Sequence, residues 1–564
     1  MAGVDGVLTA TAQISFQAAE HGDLRDVDRV LMELTGDPRP ESRAWQLALE
    51  AVRWSFDPSR GPAPRPEAAR DLGIAPAVAP ILCRVCAVME RVAFCSFDRP
   101  LLSRWIGLHT KLDAAARAAG SRPDLALATA LLWGRLLVGE LAGLDEEAKA
   151  VTDEASRQGI GAAVVEGTVV RALVALSTGS LADATELGRR AARMAQAEAL
   201  SHHEYLAHIT LARIRRYSGR PHLALHILAA LARVAPPTWA GWIGWETLLA
   251  GGTTSETNRF AAPSENAERC LRTLIGAARA GDRAAFEISV TETREAAKIW
   301  PAFSDEVAAL VGALDPLGQE IPATMVAWTR GETAAIPFGL HGVGLQQDAG
   351  PQAESATAYV IARPKECGRR LLLPGLGLAP RARMLARDST RAGARTETGI
   401  AALALAGDAG DSRDGFFRSV YGFTFVPYRH RAVLDTLCHR MRTLLGTAGE
   451  IRRDEGESNA HPDRPSDASA GAAAVPTIAL LLRDTIVVPD MRCILPTADR
   501  VLRALALLGA TSATVAAETL HMPLRTVQAV LQELVSEGAC TIERDGRRVA
   551  YKIEDTTFTQ VTSV

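Results

Sequence analysis

Residues 497–555 read TADRVLRALALLGATSATVAAETLHMPLRTVQAVLQELVSEGACTIERDGRRVAYKIED. Apolar residues recur at helical spacing from Ala498 to Leu508, and Gly509 ends the run. Ser512 stands where an N-cap belongs, ahead of the short helix ATVAAETL. His521-Met522 make a turn, Pro523 takes the first position of a third helix, and Gly538 closes it. The residues that follow alternate as two strands about Asp545-Gly546, a strong hairpin signal. The order predicted is helix, helix-turn-helix, hairpin.

In the third helix Leu524, Val527, Val530, Leu531 and Leu534 share one face, which leaves Arg525, Ala529, Gln532 and Ser536 opposite and Gln528 at the edge. Arginine and glutamine can read base edges in a major groove, and Arg544, Arg547 and Arg548 with Lys552 on the hairpin suit phosphate. This arrangement resembles a winged helix. The resemblance implies double-stranded DNA as partner, with Arg525, Thr526, Gln528 and Gln532 on the recognition helix and Arg544, Arg547 and Arg548 on the wing. Residues 497–564 hold seven Lys/Arg and eight Asp/Glu, so a solvated face or a protein-docking module is the competing reading.

Upstream, RTETGIAALALAG, FFRSVYGF and RHRAVLDTLCHRMRTLLG read as three helices, and EIRRDEG as the first arm of another hairpin. Val420-Tyr421-Gly422, Asp435, Arg440-Met441-Arg442 and Leu445-Gly446 resemble the OmpR-type winged helix of response-regulator effector domains, over residues 358–489. What precedes it is helical and not a receiver domain, so phosphorylation control is not implied. Ala432, Val433 and Thr436 replace the polar readers frequent in that family, which leaves phosphate contact by Arg429, Arg431, His439, Arg440 and Arg442 as the implied role. Charge agrees: residues 363–455 carry 17 Lys/Arg and 10 Asp/Glu, in a chain of formal charge −3. The bland reading pairs Arg431 and His439 with Asp435 at i,i+4. A low-complexity insertion near 456–474 splits the expected wing.

The amino-terminal half reads as helix after helix. Gly143, Gly179 and Gly219 each precede an alanine, Ala148, Ala184 and Ala224, by five residues. The segments VVRALVALSTGSLADATELGRRAARMA and YLAHITLARIRRYSGRPHLALHILAALARVAP flank such turns with apolar positions at helical spacing. The pattern resembles tetratricopeptide repeats, best over residues 141–237, with Pro236 at the closing position and Gly22 and Gly281 as weaker turns of the same kind. An irregular helical array is the alternative. Repeats joined to OmpR-type winged helices resemble bacterial transcription activators, although there the DNA-binding module usually comes first.

The 564 residues are 48% hydrophobic and 23% charged, enough for several folded blocks and too apolar for a disordered chain. No segment has the unbroken apolar length of a membrane span, and the eight scattered cysteines suit reduced thiols in a cytoplasmic protein. Cys83 and Cys86 form a lone C-x-x-C without a second pair, His203 and His208 are wrongly spaced to share a metal on one helix, and His222 and His226 lack a third ligand. No phosphate-binding loop or nucleophile elbow stands in the chain, so neither an enzyme nor a cofactor is expected.

The expected fold is mainly α: a tetratricopeptide-like array over 1–250, further helical pairs over 265–335, an OmpR-like winged helix over 356–490 and a second winged helix-turn-helix over 491–560. The expected function is DNA-binding transcriptional regulation, with a protein or peptide partner on the repeats and a homodimer as one assembly. The rival is a non-enzymatic scaffold whose winged helices bind protein.

Overall fold

The structure is a computed structural model; it describes residues 2–73, 75–254, 262–318, 320–345, 357–377, 383–385, 391–454, 477–545, 548–553 and 558. The chain is mainly helical with a few small sheets. Its contacts divide it into two units, one of Met1–Arg272, Thr291–Glu306 and Glu554–Val564, the other of Thr273–Val290 and Val307–Ile553.

The first unit begins with α1 (Ala2–Glu20), α2 (Val27–Leu34), α3 (Pro40–Phe56), α4 (Pro66–Asp71), α5 (Ala79–Cys95), α6 (Arg99–Ala118) and α7 (Leu125–Val138). It continues through α8 (Leu144–Gln158), α9 (Gly161–Ser177), α10 (Leu181–Ala197), α11 (Ser201–Tyr217), α12 (Pro221–Val234) and α13 (Ala240–Leu249). From α5 to α13 each helix packs on the next, α4 packs on α6, and the odd-numbered helices, α1 through α13, also touch one another in order. That inner row is buried more completely than the outer helices: α9 and α11 bury most of their residues, whereas α8 buries only Leu144, Ala148, Thr152 and Ala155 and α10 only Ala184, Gly188, Ala191, Ala192 and Ala195. Gly143, Gly179 and Gly219 turn the chain at positive φ of 70°, 84° and 72°, and Ala148, Ala184 and Ala224 are fully buried where the next helix crosses its neighbour. Gly143 does not end α7, whose left-handed cap is Gly139; it is the residue before α8.

Burial on the inner row extends to charges. Arg213 and Arg216 of α11 meet Glu246 of α13 and Glu306 from α16 (Pro301–Leu314), with Arg213 Nη1 donating to Glu246 Oε1 (2.5 Å) and Trp245 Nε1 to Glu306 Oε2 (2.9 Å). Two guanidinium and two carboxylate groups balance, which is how charges survive away from water. Between α13 and α16 stand α14 (Pro263–Ala280) and α15 (Arg283–Ala297), and the division between units passes through all three later helices. Phe558 lies against Tyr205 and His208 of α11.

In the second unit, α17 (Ala323–Thr329) precedes β1 (Tyr359–Ala362), β2 (Arg369–Leu371), β3 (Arg383–Met384), α18 (Arg391–Ala406), β4 (Asp411–Ser412), α19 (Arg413–Tyr421) and α20 (Pro427–Leu445). There follow β5 (Gly449–Asp454), β6 (Thr477–Leu482) and β7 (Ile486–Pro489), then α21 (Thr497–Leu508), α22 (Ala513–Thr519), α23 (Leu524–Ser536), β8 (Cys540–Asp545) and β9 (Arg548–Ile553). One sheet runs β2-β1-β7-β3, with β3 parallel to β7 and the rest antiparallel; a second runs β4-β6-β5; β8 and β9 form a hairpin. β5 and β6 pair antiparallel from Gly449↔Leu482 to Asp454↔Thr477, and the expected insertion between them lies outside the described residues.

One core joins these elements: Val360 of β1, Ile400 and Leu403 of α18, Phe416 and Phe417 of α19, Leu434, Leu437 and Met441 of α20, Ile451 of β5 and Ile478 of β6. Arg370 of β2, 1% exposed, donates to Asp490 at the end of β7 (2.7 Å) and to the carbonyl oxygens of Trp328 and Thr333. Burial opposes the Asp490 charge, but the hydrogen bond from Arg492 and the field of both arginines hold its carboxyl below the usual range.

Candidate nucleic-acid interface

Helix α20 starts where Pro427 removes an N–H that would have had no partner, and Val426 donates its own N–H to His430 Nδ1 (2.9 Å). Leu434, Leu437, Cys438, Met441 and Leu445 are buried and anchor one side. At about 100° per residue, Ala432, Thr436, His439 and Thr443 form the opposite, outermost stripe. Arg429 and Arg440 fall on one flank of that stripe and Arg431 and Arg442 on the other, each pair eleven residues apart in the sequence and therefore about 16 Å apart along the axis.

All five expected contacts on this helix, Arg429, Arg431, His439, Arg440 and Arg442, are exposed. Among the described residues none of the four arginines enters an ion pair. Arg429 lies over the ring of Tyr428, and Arg442 donates to the Ile451 carbonyl (3.2 Å), which ties its guanidinium toward β5. Asp435 does not pair with Arg431 or His439. Its carboxylate takes Arg453 from β5 at 2.5 Å, a partner eighteen residues away that intrahelical spacing could not indicate. The hydroxyls of the outer stripe are engaged at home: Thr436 donates to Ala432 O (2.8 Å) and Thr443 to His439 O (3.0 Å).

Behind α20, Phe417 stacks on Tyr421 and on His430, with Phe423 and Phe425 edge-on. Burial raises the Tyr421 phenol above its usual pKa against the fields of Arg395 and Arg440. Tyr428, 81% exposed at the first turn of α20, is an aromatic on this surface that periodicity and charge did not single out; its place directly after the helix-starting proline is the signal that marks it.

In the last block, Ser512 accepts from Val515 N (3.2 Å) and caps α22 as its position suggests. Pro523 is one place earlier than expected: it is the extended N-cap residue, and α23 begins at Leu524. Val527, Leu531 and Leu534 are buried, and Arg525, Thr526, Gln528 and Gln532 are all exposed. Leu524 departs from the expected apolar face, being 39% exposed on the first turn. On the hairpin Arg544 and Arg548 are exposed, Lys552 is paired with Glu543, and Arg547 lies outside the described residues with Gly546. Leu507, Leu508, Val515, Ile542 and Val549 are also exposed in this block.

The two helices therefore offer different chemistry. α20 presents two arginine edges around a stripe of Ala432, two home-bonded threonines and the exposed His439; α23 presents one arginine and two glutamines on its exposed face. Among the described residues no helix is long and apolar enough to cross a membrane. Searches of protein-family models, of curated proteins and of solved structures found no match to this chain.

Proposed function

We propose that this chain is a DNA-binding transcriptional regulator whose α18–α20/β4–β6 and α21–α23/β8–β9 blocks act as two winged helices, the helical array of the first unit taking a protein or peptide partner. The observation that carries the reading is the pair of unpaired arginine edges on α20. A helix lying in a major groove has a sugar-phosphate backbone on either side, and arginines on both flanks can reach the two strands while small residues between them face the base edges. With Thr436 and Thr443 bonded to their own helix, α20 contributes affinity and little sequence choice. Sequence choice falls to α23, where Arg525 suits guanine and Gln528 and Gln532 suit adenine.

The scaffold reading has one observation in its favour: Leu507, Leu508, Val515 and Leu524 are exposed in the last block, where a protein partner gains from apolar surface. Binding of a random-sequence duplex, followed by fluorescence anisotropy across a salt series, separates the two. A regulator gripping phosphates loses affinity linearly in log salt with a slope of several units. A chain with no measurable duplex affinity at low salt is the scaffold.

A further inference from the structure

The first unit buries a second group of reactive side chains, unrelated to the basic helices. Cys83 and Glu90 stand two turns apart on α5, His109 lies on α6, and Asp124 caps the start of α7, where its Oδ1 accepts from Ala126 N (2.9 Å). Ligating atoms of Cys83, His109 and Asp124 all lie within 4.8 Å of one another. His109 Nε2 is 3.2 Å from Asp124 Oδ2, and Nδ1 is 3.0 Å from Glu90 Oε2. His109 is fully buried, Glu90 is 1% exposed and Cys83 is 4% exposed, so bulk water does not supply their partners.

We propose that Cys83, His109 and Asp124 bind a divalent cation of the zinc type, with Glu90 orienting the imidazole from behind. The donor set is one thiolate, one imidazole and one carboxylate, which suits a borderline-soft metal and not magnesium or calcium. Ligand atoms at zinc distances of about 2.0–2.3 Å around a tetrahedral centre stand about 3.3–3.8 Å apart. The His109–Asp124 separation already matches, and the widest separation in the group needs a contraction of about one ångström. A carboxylate on the far nitrogen of a ligating histidine fixes its tautomer and sharpens its basicity, which is the position Glu90 holds.

Charge favours the same occupant. Two carboxylates and a thiol surround one imidazole; Arg91 Nε is 3.6 Å from Glu166, and Arg84, which lies over Phe16 and Trp45, acts on Asp124 through its field. A dication would offset the charge of a thiolate and of the Asp124 carboxylate, whose present partner is the His109 imidazole. Three protein ligands leave one coordination position. Next to Asp124 and Glu90 is a cavity of ≈ 90 Å³, lined also by Arg91, Thr129 and Glu166. A water needs only about 10–15 Å³ by this measure, so there is room for a water on the Asp124 side of the group.

Cobalt(II) titrated into the metal-stripped full-length chain tests the site. The expected result is one cobalt per chain with tetrahedral d–d bands and a thiolate-to-cobalt charge-transfer band, all displaced by one equivalent of zinc. Cys83→Ser removes the charge-transfer band, Cys86→Ser keeps it, and Glu90→Gln keeps the spectrum with affinity weaker by roughly 10–100-fold. Asp124→Asn changes a partly exposed helix start and leaves the fold, read by circular dichroism, while weakening cobalt binding. Absence of the band in the wild type, its persistence in Cys83→Ser, or unchanged affinity in Asp124→Asn overturns the proposal.

Discussion

Helices α20 and α23 are each the last and most exposed of three helices followed by strands, yet their surfaces are built on opposite terms. On α20 four arginines flank a stripe of alanine, threonine and His439, and the aspartate that could have quenched them is drawn away by Arg453 from β5. On α23 a single arginine stands among amides, and apolar side chains from Leu507 to Val549 are exposed in the surrounding block. The contrast teaches that net charge of a segment and charge available at its surface are different quantities. Residues 363–455 are basic by count, but Arg370 is buried and Arg418, Arg452 and Arg453 are paired; of the exposed arginines without an ion pair, four stand together on α20.

The largest effect is expected where the buried ion pair between β2 and the end of β7 is broken. Asp490→Asn leaves Arg370 buried beside a neutral group, and removing one partner of such a pair costs about 3–5 kcal/mol. Because the Asp490 pKa is depressed in the fold, its contribution is present at neutral pH and is lost as pH falls through that depressed value. Urea denaturation from neutral to acidic pH should show the variant less stable at pH 7 and converging on the wild type in acid. A constant difference at every pH shows that the carboxylate charge is not what holds β2 to β7.

The comparison itself is tested by charge reversal on α20. Arg431→Glu with Arg440→Glu removes one arginine from each flank and spares Arg442, which also tethers β5. Affinity should fall for every duplex, and the slope of log K against log salt should drop by about two units, roughly one per lost phosphate contact. An unchanged slope takes α20 off the DNA-binding surface.

Arg525→Ala should behave differently. It should cost about 1–3 kcal/mol at a selected preferred site and little on random duplex, measured by competition between the two. Equal losses on both would make α23 a second charge anchor and erase the distinction between the helices.

The smallest effect is local. Ser512→Ala removes the side-chain acceptor for Val515 N and should destabilise the last block by about 1 kcal/mol, with no change in the α20 salt slope. Thermal melts of the pair check the first part; a shift in the slope would show that the two blocks do not act independently.

What the sequence by itself determined is local. Helical periodicity, the Ser512 cap, the Gly422 cap on α19 with φ 82° and the Gly143, Gly179 and Gly219 turns are decided by residues within a turn or two of one another, and each is legible in the order of residues alone. The exposure of Arg525, Gln528 and Gln532 follows from the same periodicity, because a helix that buries Val527, Leu531 and Leu534 must turn its other face outward. Tertiary structure alone decided which groups meet across elements. Asp435 went to Arg453 rather than along its own helix, and Leu524 stayed at the surface although periodicity puts it on the apolar face. Cys83 found its company not in Cys86, which shares its helix, but in His109 and Asp124 on the next two helices. The physical reason is common to all three. Backbone hydrogen bonding repeats along the chain and writes its period into the sequence, whereas side-chain partners are chosen by how helices are docked, and docking leaves no regular spacing to read.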